Sequence, residues 1–154
     1  MPGLRRQGRT CALQLLYQTE IAGGPCAGDM TAEAIERFWN GLDASRKARA
    51  FAMQLYDVTH AHLPAIDALI AANLEHWSLS RLSVIVRNLL RMAVAEMVHV
   101  RDVAHPVVID EAIELARTFE GDEAARFVNG VLDRIWRVAG EAGSPTVEFP
   151  PASG

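Results

Sequence analysis

The sequence predicts an all-α protein of six to seven helices, and three observations lead to this prediction. Apolar residues recur at intervals of three and four along most of the 154 residues, which is the period of an amphipathic helix. No alternating run of β-branched residues is bounded by hairpin turns, so strands are not expected. Half of the residues are apolar and 22% are charged, which provides enough apolar surface for a core at this length.

Two amphipathic segments occupy the N-terminal third. The first helix is predicted in LRRQGRTCALQLLYQTEIAG and ends at Gly23-Gly24-Pro25, because glycine and proline both interrupt helices. Its apolar face consists of Ala12, Leu15, Leu16 and Thr19. The second is predicted in TAEAIERFWNGL, with Thr31 as its N-cap. Its apolar face consists of Ile35, Phe38, Trp39 and Leu42.

Three further helices are predicted in the middle of the chain. SRKARAFAMQLYDVTHAHL has an apolar face formed by Ala48, Phe51, Ala52, Leu55 and Val58. Pro64 then either kinks the chain or begins a new helix as its first residue. SRLSVIVRNLLRMAVAEMV is the most apolar segment, with apolar residues on more than one face. We therefore expect this helix to be central and surrounded by the others.

The last two helices are predicted around an acidic turn. Pro106 opens the first of them, Glu120-Gly121-Asp122 closes it, and RFVNGVLDRIW belongs to the second. We expect residues 1–139 to form the folded domain. We expect residues 140–154 to be a disordered tail, because they have neither periodicity nor apolar mass.

Signals for catalysis, metals and cofactors are absent from the sequence. None of the motifs H-E-x-x-H, G-x-S-x-G or G-x-x-x-x-G-K-[ST] occurs. Asp110, Glu111 and Glu114 are interpreted as carboxylates in a first helical turn, where they favour the helix dipole, with Arg117 as a surface partner of Glu114. We therefore predict a protein that is not an enzyme and binds no cofactor or metal.

The composition of the sequence also indicates where in the cell the protein is expected to be. No apolar run reaches the length of a transmembrane helix, so no membrane association is predicted. Cys11 and Cys26 are too few for a zinc site, and Cys11 is expected to be a buried thiol. The cytoplasm is the expected location. The net charge of −4 argues against non-specific coating of nucleic acid, but Met1 to Thr19 contains three arginines and no acid.

These arginines indicate RNA binding. Arg5, Arg6 and Arg9 precede or open the first helix, and Tyr17 follows on nearly the same row as Arg5 and Arg9. Guanidinium groups suit phosphate, and an aromatic ring offers a stacking surface for an unpaired base. The same residues also fit a solvated helix start with Tyr17 as half-buried packing, so both interpretations stay open. We expect the arginines to be exposed and to contribute little to folding.

Three motifs carry a family resemblance. RRQGRTCALQLLYQTE, LLRMAVAEM, and VVIDEAIELARTF followed by RFVNGVLDRI occur in this order. Between about Leu4 and Val138 the chain closely resembles the NusB family of transcription antitermination factors. The resemblance implies two small helical bundles packed roughly perpendicular to each other. It also implies a non-catalytic role in the RNA polymerase antitermination complex, binding boxA RNA of ribosomal RNA operon leaders together with NusE, a small-subunit ribosomal protein.

The same resemblance implies where RNA binds. It assigns RNA contacts to Arg5, Arg6, Arg9 and Tyr17 at one end, and to Arg126, Phe127 and Asn129 at the other. Phe127 fits RNA stacking and core packing equally well. Asn129-Gly130 favours packing, with the amide satisfying buried backbone and the glycine letting helices approach closely.

Partner contacts are implied at Tyr17, Val86 and Arg87, on the side associated with NusE. Val86 departs from the family, where an acid is frequent at this place. Gly8 interrupts the basic run, and we expect it to weaken the first helical turn until RNA binds. Arg91 and Glu96 match the family and are interpreted as a helix-anchoring charge pair.

Two other classes remain open from the sequence. A similar helical domain forms the RNA-binding part of ribosomal RNA cytosine methyltransferases, whose catalytic domain is not expected in this chain. Alternatively, the chain is a helical adaptor or a homodimer without an RNA role. Salt-dependent and sequence-selective RNA binding distinguishes these classes.

Overall fold

The computed structural model of the chain describes residues 3–23 and 31–141, with side chains through residue 138. These residues contain seven α-helices and no strand, which confirms the all-α prediction. In chain order the helices are α1 (Leu4–Gly23), α2 (Ala32–Asn40), α3 (Arg46–Ala61), α4 (Leu63–Ala72), α5 (Val84–Ala95), α6 (His105–Glu120) and α7 (Asp122–Glu141). Cys26, Gly24-Pro25 and almost all of the predicted tail lie outside the described residues. None of the described helices is long and apolar enough to cross a membrane.

The chain divides into two compact units, Met1–Tyr56 and Asp57–Gly154. The first contains α1, α2 and most of α3. The second contains the last residues of α3 together with α4 to α7, and a short 3₁₀ turn at Leu79–Arg81. Each of the seven α-helices contains buried apolar side chains.

In the first unit, α1 buries the face that its periodicity predicts. Buried on this face are Ala12, Leu15, Leu16 and Thr19. The hydroxyl of Thr19 lies 2.8 Å from the carbonyl of Leu15 and 2.8 Å from the hydroxyl of Tyr56 on α3, which satisfies the buried polar group. Cys11 is buried as predicted, and burial raises the pKa of its thiol.

Helix α2 begins where the sequence predicts. Thr31 is its N-cap, and the side-chain oxygen accepts a hydrogen bond from the backbone N–H of Ala34 at 3.1 Å. Trp39 is buried, whereas the prediction for Leu42 is wrong. The helix ends at Asn40, so Leu42 leaves the apolar face and is 39% exposed.

Gly8 lies at a close approach between α1 and α3, a packing role that the sequence did not predict. The helix is continuous from Leu4 through Gly8. A Cβ atom at Gly8 would lie 2.7 Å from Cδ2 of Phe51 and 3.1 Å from the carbonyl oxygen of Ala48. Because real Cβ atoms almost never come within 3.0 Å of another heavy atom, a side chain at position 8 would require Phe51 to shift, and the glycine permits this packing.

In the second unit, α5 is the central helix, as predicted. It packs against α4, α6 and α7, and each residue from 88 to 95 is buried. This run includes Arg91, whose Nε and Nη2 donate to the two carboxylate oxygens of Asp67 on α4 at 2.7 and 2.9 Å. A third hydrogen bond joins Arg91 Nη1 to Oδ1 of Asn88 at 3.2 Å. The buried guanidinium is therefore compensated by a bidentate partner.

A π-helical segment, Glu96–Val100, follows α5 and ends at Arg101, which has a left-handed φ of 58°. The ring of His99 in this segment stacks on the ring of His62, with centroids 3.7 Å apart. Burial, together with the neighbouring His62, lowers the pKa of His99. The stack is therefore favoured when His99 is neutral.

The α6–α7 corner differs from its prediction in one respect. Helix α6 begins at His105 with Pro106 as its second residue, so Asp110, Glu111 and Glu114 lie beyond the first turn. They therefore do not interact with the helix N-terminus as predicted. The partnership of Arg117 with Glu114 is confirmed, and Nε of Arg117 also donates to Asp122 across the corner at 3.0 Å.

The close approach at Gly8 leads to a prediction with a matched control. Gly8→Ala is expected to lower the free energy of unfolding by about 1–2 kcal/mol, because the steric cost exceeds the gain in helix propensity. Gly130→Ala in α7 is the control, since a Cβ there meets only Nη1 of Arg134 at 3.7 Å, and stability should be unchanged or higher. Urea unfolding measures both; equal effects would contradict the close approach.

The pair between Arg91 and Asp67 predicts a large effect of removing one partner. Asp67→Ala should lower the free energy of unfolding by about 3 kcal/mol, because it leaves a buried guanidinium without its carboxylate. Asp133→Ala removes the carboxylate from the exposed pair with Arg137 and should leave the urea midpoint unchanged. A similar small shift for both variants would show that the buried pair contributes no more than a surface pair.

Candidate nucleic-acid interface

The N-terminal turns of α1 bring the predicted arginines to one end of the first unit. Arg5 and Arg6 are exposed, as predicted, but Arg9 is only 4% exposed. The guanidinium carbons of Arg5 and Arg9 lie 5.1 and 5.6 Å from the centroid of the Phe51 ring. Arg9 is therefore part of the packing between α1 and α3, and the expectation that it is exposed is wrong.

The position of Arg9 follows from the helical period. Four residues after Arg9 comes Leu13, and three further comes Leu16, both of which are buried. Arg9 begins this buried row, whereas Arg5 lies one turn earlier, where the helix starts and solvent is accessible. The first turn contains no acid, so the positive end of the helix dipole and the arginines act together at this end.

Tyr17 faces a different direction from the buried row. It is 37% exposed, and Ile21, one turn further, is 61% exposed. A residue eight positions after Arg9 is rotated by about 80° from it on a helix of 3.6 residues per turn. The two residues therefore do not share a row, contrary to the expectation, and Tyr17 with Ile21 forms a separate exposed apolar pair.

The start of α7 presents the second predicted group. Arg126 is exposed and Phe127 is half-buried, whereas Val128 between Phe127 and Asn129 is fully buried. The intermediate burial of Phe127 leaves part of its ring accessible to solvent. The carboxylates of Asp122 and Glu123 occupy the first turn of the same helix, so Arg126 lies one turn from two acids.

The packing role predicted for Asn129-Gly130 is wrong. Asn129 is exposed, so its amide does not satisfy a buried backbone group. Space around Gly130 would accept a methyl group with only the end of a flexible arginine nearby, so close helix approach does not require glycine there. This motif was considered for helix packing and for RNA binding. The solvent exposure of Asn129 is compatible with RNA binding.

The residues expected on the partner-facing side lie in different environments. Val86 is 6% exposed, because it shares the inner face of α5 with Leu89 and Leu90. Its side chain therefore does not offer a surface to a partner. Arg87 is half-buried and donates from Nη1 to the carbonyl oxygens of Leu79 and Leu82, at 3.1 and 2.8 Å. It holds the 3₁₀ turn before α5.

Phe51 contacts the arginines of α1, and the sequence did not single it out as a candidate site residue. Its place on the apolar face of α3 predicted a core residue. It is instead half-buried, and the guanidinium groups of Arg5 and Arg9 lie over its ring. A glycine inside the basic run was the available signal, since glycine frequently marks the close approach of another side chain. Which side chain approaches depends on tertiary packing.

No group of three metal-ligating side chains occurs within residues 3–23 and 31–138, whose side chains the structure describes. Buried polar atoms without a hydrogen-bond partner there include Nε1 of Trp39, Nδ1 of His62 and Nε2 of His99. The two histidine atoms belong to the stacked pair. Because stacked rings direct their nitrogen lone pairs along parallel planes, this pair does not converge on one ion.

Comparisons with known proteins agree on one family. The model of the NusB family matches residues 6–137. A transcription antitermination protein NusB from Myxococcus xanthus is 41% identical over 137 residues, which cover 86% of this chain and 94% of the relative. A solved NusB structure from T. maritima is 37% identical with a TM-score of 0.75, and covers 89% of this chain and 93% of that one. A solved complex of antitermination factors NusB and NusE with dsRNA also matches, with 26% identity and a TM-score of 0.75, covering 90% of this chain and 99% of that one.

Because Arg9 is buried and Arg6 is exposed, their replacement by alanine should affect stability differently. Arg9→Ala should lower the free energy of unfolding by about 1–3 kcal/mol, because it removes a buried side-chain stem and a contact with the Phe51 ring. Arg6→Ala should leave the urea midpoint unchanged, since Arg6 is exposed. If alanine at position 9 also leaves the midpoint unchanged, Arg9 does not contribute to the packing of α1.

Proposed function

We propose, since the chain belongs to the NusB family, that it is a transcription antitermination factor that binds boxA RNA together with NusE. The observation that carries this proposal is the extent of the likeness, which includes Arg6 in α1 and all of RFVNG in α7. The named relatives are transcription antitermination proteins, and one matching solved structure contains NusB, NusE and dsRNA. The proposed role is binding, and it requires no catalytic group.

RNA contacts are proposed in each unit. Arg5 and Arg6 in the first and Arg126 in the second are exposed cations that can pair with phosphate oxygens. Tyr17 and Phe127 each expose part of a ring on which a base can stack, and the amide of Asn129 can hydrogen-bond to a base edge or to the backbone. Arg9 contributes charge from within the fold and does not contact RNA directly.

The proposed partner is NusE, and the proposed setting is the RNA polymerase antitermination complex in the cytoplasm. Tyr17 and Ile21 support a protein contact, because they form an exposed apolar pair on α1. Arg87 is not assigned a direct contact, because its guanidinium group holds the turn at Leu79–Arg81 within the second unit. Val86 is left out of the proposed contact because it is buried.

Sequence-selective RNA binding tests this function. A fluorescently labelled boxA RNA and a scrambled RNA, each as a single strand and as a duplex, are titrated with the protein, with and without purified NusE. Selective binding that NusE strengthens is expected. If Arg5, Arg6 and Arg126 each neutralise one phosphate of a single strand, log K should fall against log salt with a slope of roughly −2.

One variant and one control sharpen this test. Arg6→Ala should weaken binding and reduce the magnitude of the slope by about 0.7, the value of one phosphate contact on a single strand. Arg137→Ala removes another exposed arginine, one paired with Asp133, and should leave both quantities unchanged. Absence of RNA binding in every condition, with or without NusE, would overturn the proposed function. Sedimentation of the free protein would then test for a homodimer without an RNA role.

A further inference from the structure

Phe51 holds an unusual position beneath the basic end of α1. Its half-buried ring lies within 5.1 Å of the guanidinium carbon of Arg5 and 5.6 Å of that of Arg9. The ring edge also approaches the backbone at Gly8, where a Cβ atom would be only 2.7 Å from Cδ2. One aromatic side chain therefore contacts a full turn of the helix, from Arg5 to Arg9.

The two arginines differ in how they meet solvent. Arg9 is 4% exposed and is fixed within the packing, whereas Arg5 is exposed at the helix start. Both are attracted to the ring because the face of an aromatic ring is electronegative. Their like charges would otherwise favour wide separation, so the ring lowers the cost of keeping two cations within one helical turn.

We propose that Phe51 is a positioning residue for RNA binding, which holds the guanidinium of Arg5 in place for a phosphate. The proposal rests on the RNA-binding function proposed above. Cation–π attraction is electrostatic and does not itself use an N–H donor, so a guanidinium held this way keeps its capacity for a bidentate contact. Arg9 adds a positive charge beneath the surface, where solvent and salt screen it less than an exposed charge.

The contact with Phe51 is expected to favour RNA binding because it preorganises the Arg5 side chain. An unrestrained arginine loses many rotamers when it binds phosphate, and that loss weakens binding. A guanidinium already held over a ring has lost part of this freedom in the folded protein. Phe51 is therefore expected to increase RNA affinity without contacting RNA, and its effect should depend on the presence of Arg5.

A double-mutant cycle measures this dependence. Phe51→Leu keeps an apolar side chain of similar size but removes the aromatic face, and Phe51→Tyr keeps the face. We expect Phe51→Leu to bind single-stranded boxA RNA roughly fivefold more weakly, the effect of losing a contact of this kind. Phe51→Tyr should bind within about twofold of the unchanged protein, and the double variant R5A/F51L should bind within about twofold of R5A.

Arginine Nε–H signals provide a readout of position that does not require RNA. In the unchanged protein and in Phe51→Tyr, the ring current should shift the Arg5 Nε–H resonance, and Phe51→Leu should remove this shift. Urea unfolding confirms that each variant is folded under the binding conditions. Phe51→Met replaces the leucine variant in the cycle if the latter is unfolded.

The outcomes separate the two proposals. If the unchanged protein binds boxA RNA and Phe51→Leu binds it equally well, the positioning role is overturned and the proposed function stands. The role is also overturned if Phe51→Leu weakens R5A by the same factor as it weakens the unchanged protein, because the effect would then not act through Arg5. If the unchanged protein binds no RNA with or without NusE, the proposed function fails and the positioning role fails with it.

Discussion

The need to compensate a buried guanidinium constrains both units of this protein. Arginine remains charged in proteins, so moving it away from water requires a partner that replaces hydration. In the second unit, Asp67 on α4 provides two carboxylate oxygens to Arg91 at 2.7 and 2.9 Å. In the first unit, the ring of Phe51 on α3 meets the guanidinium of the buried Arg9. In both units a buried guanidinium contacts a side chain of another helix, so the placement of the charge and the packing of the helices are linked.

Burial distinguishes arginines that are packed within the fold from arginines whose head groups reach solvent. Arg9, Arg87 and Arg91 are buried or half-buried, and each contacts a group within its own unit. Exposed arginines such as Arg5, Arg6 and Arg126 lie within the first two turns of their helices. A net charge of −4 for the whole chain is compatible with RNA binding because cations are concentrated locally.

Periodicity and capping were sufficient to predict most of the fold. The inner faces of α1 and α5 and the N-cap at Thr31 follow from spacing and residue type alone. Errors arose where the outcome depends on a helix end, a drift in phase or a tertiary neighbour. Leu42 follows the end of α2, and Tyr17 drifts from the row of Arg9. The roles of Gly8 and Gly130 differ because Phe51 faces only the first, which no local pattern reveals.

The contact between Gly8 and Phe51 also restricts how this surface can change during evolution. A larger residue at position 8 requires a smaller or displaced side chain at position 51, since the ring edge lies 2.7 Å from where a Cβ would be. Such a replacement would restore helix packing only by removing the ring near Arg5 and Arg9. The two positions are therefore expected to show sign epistasis, in which a substitution that is harmful alone becomes acceptable only after the other has occurred. Lineages that keep the aromatic ring should keep the glycine.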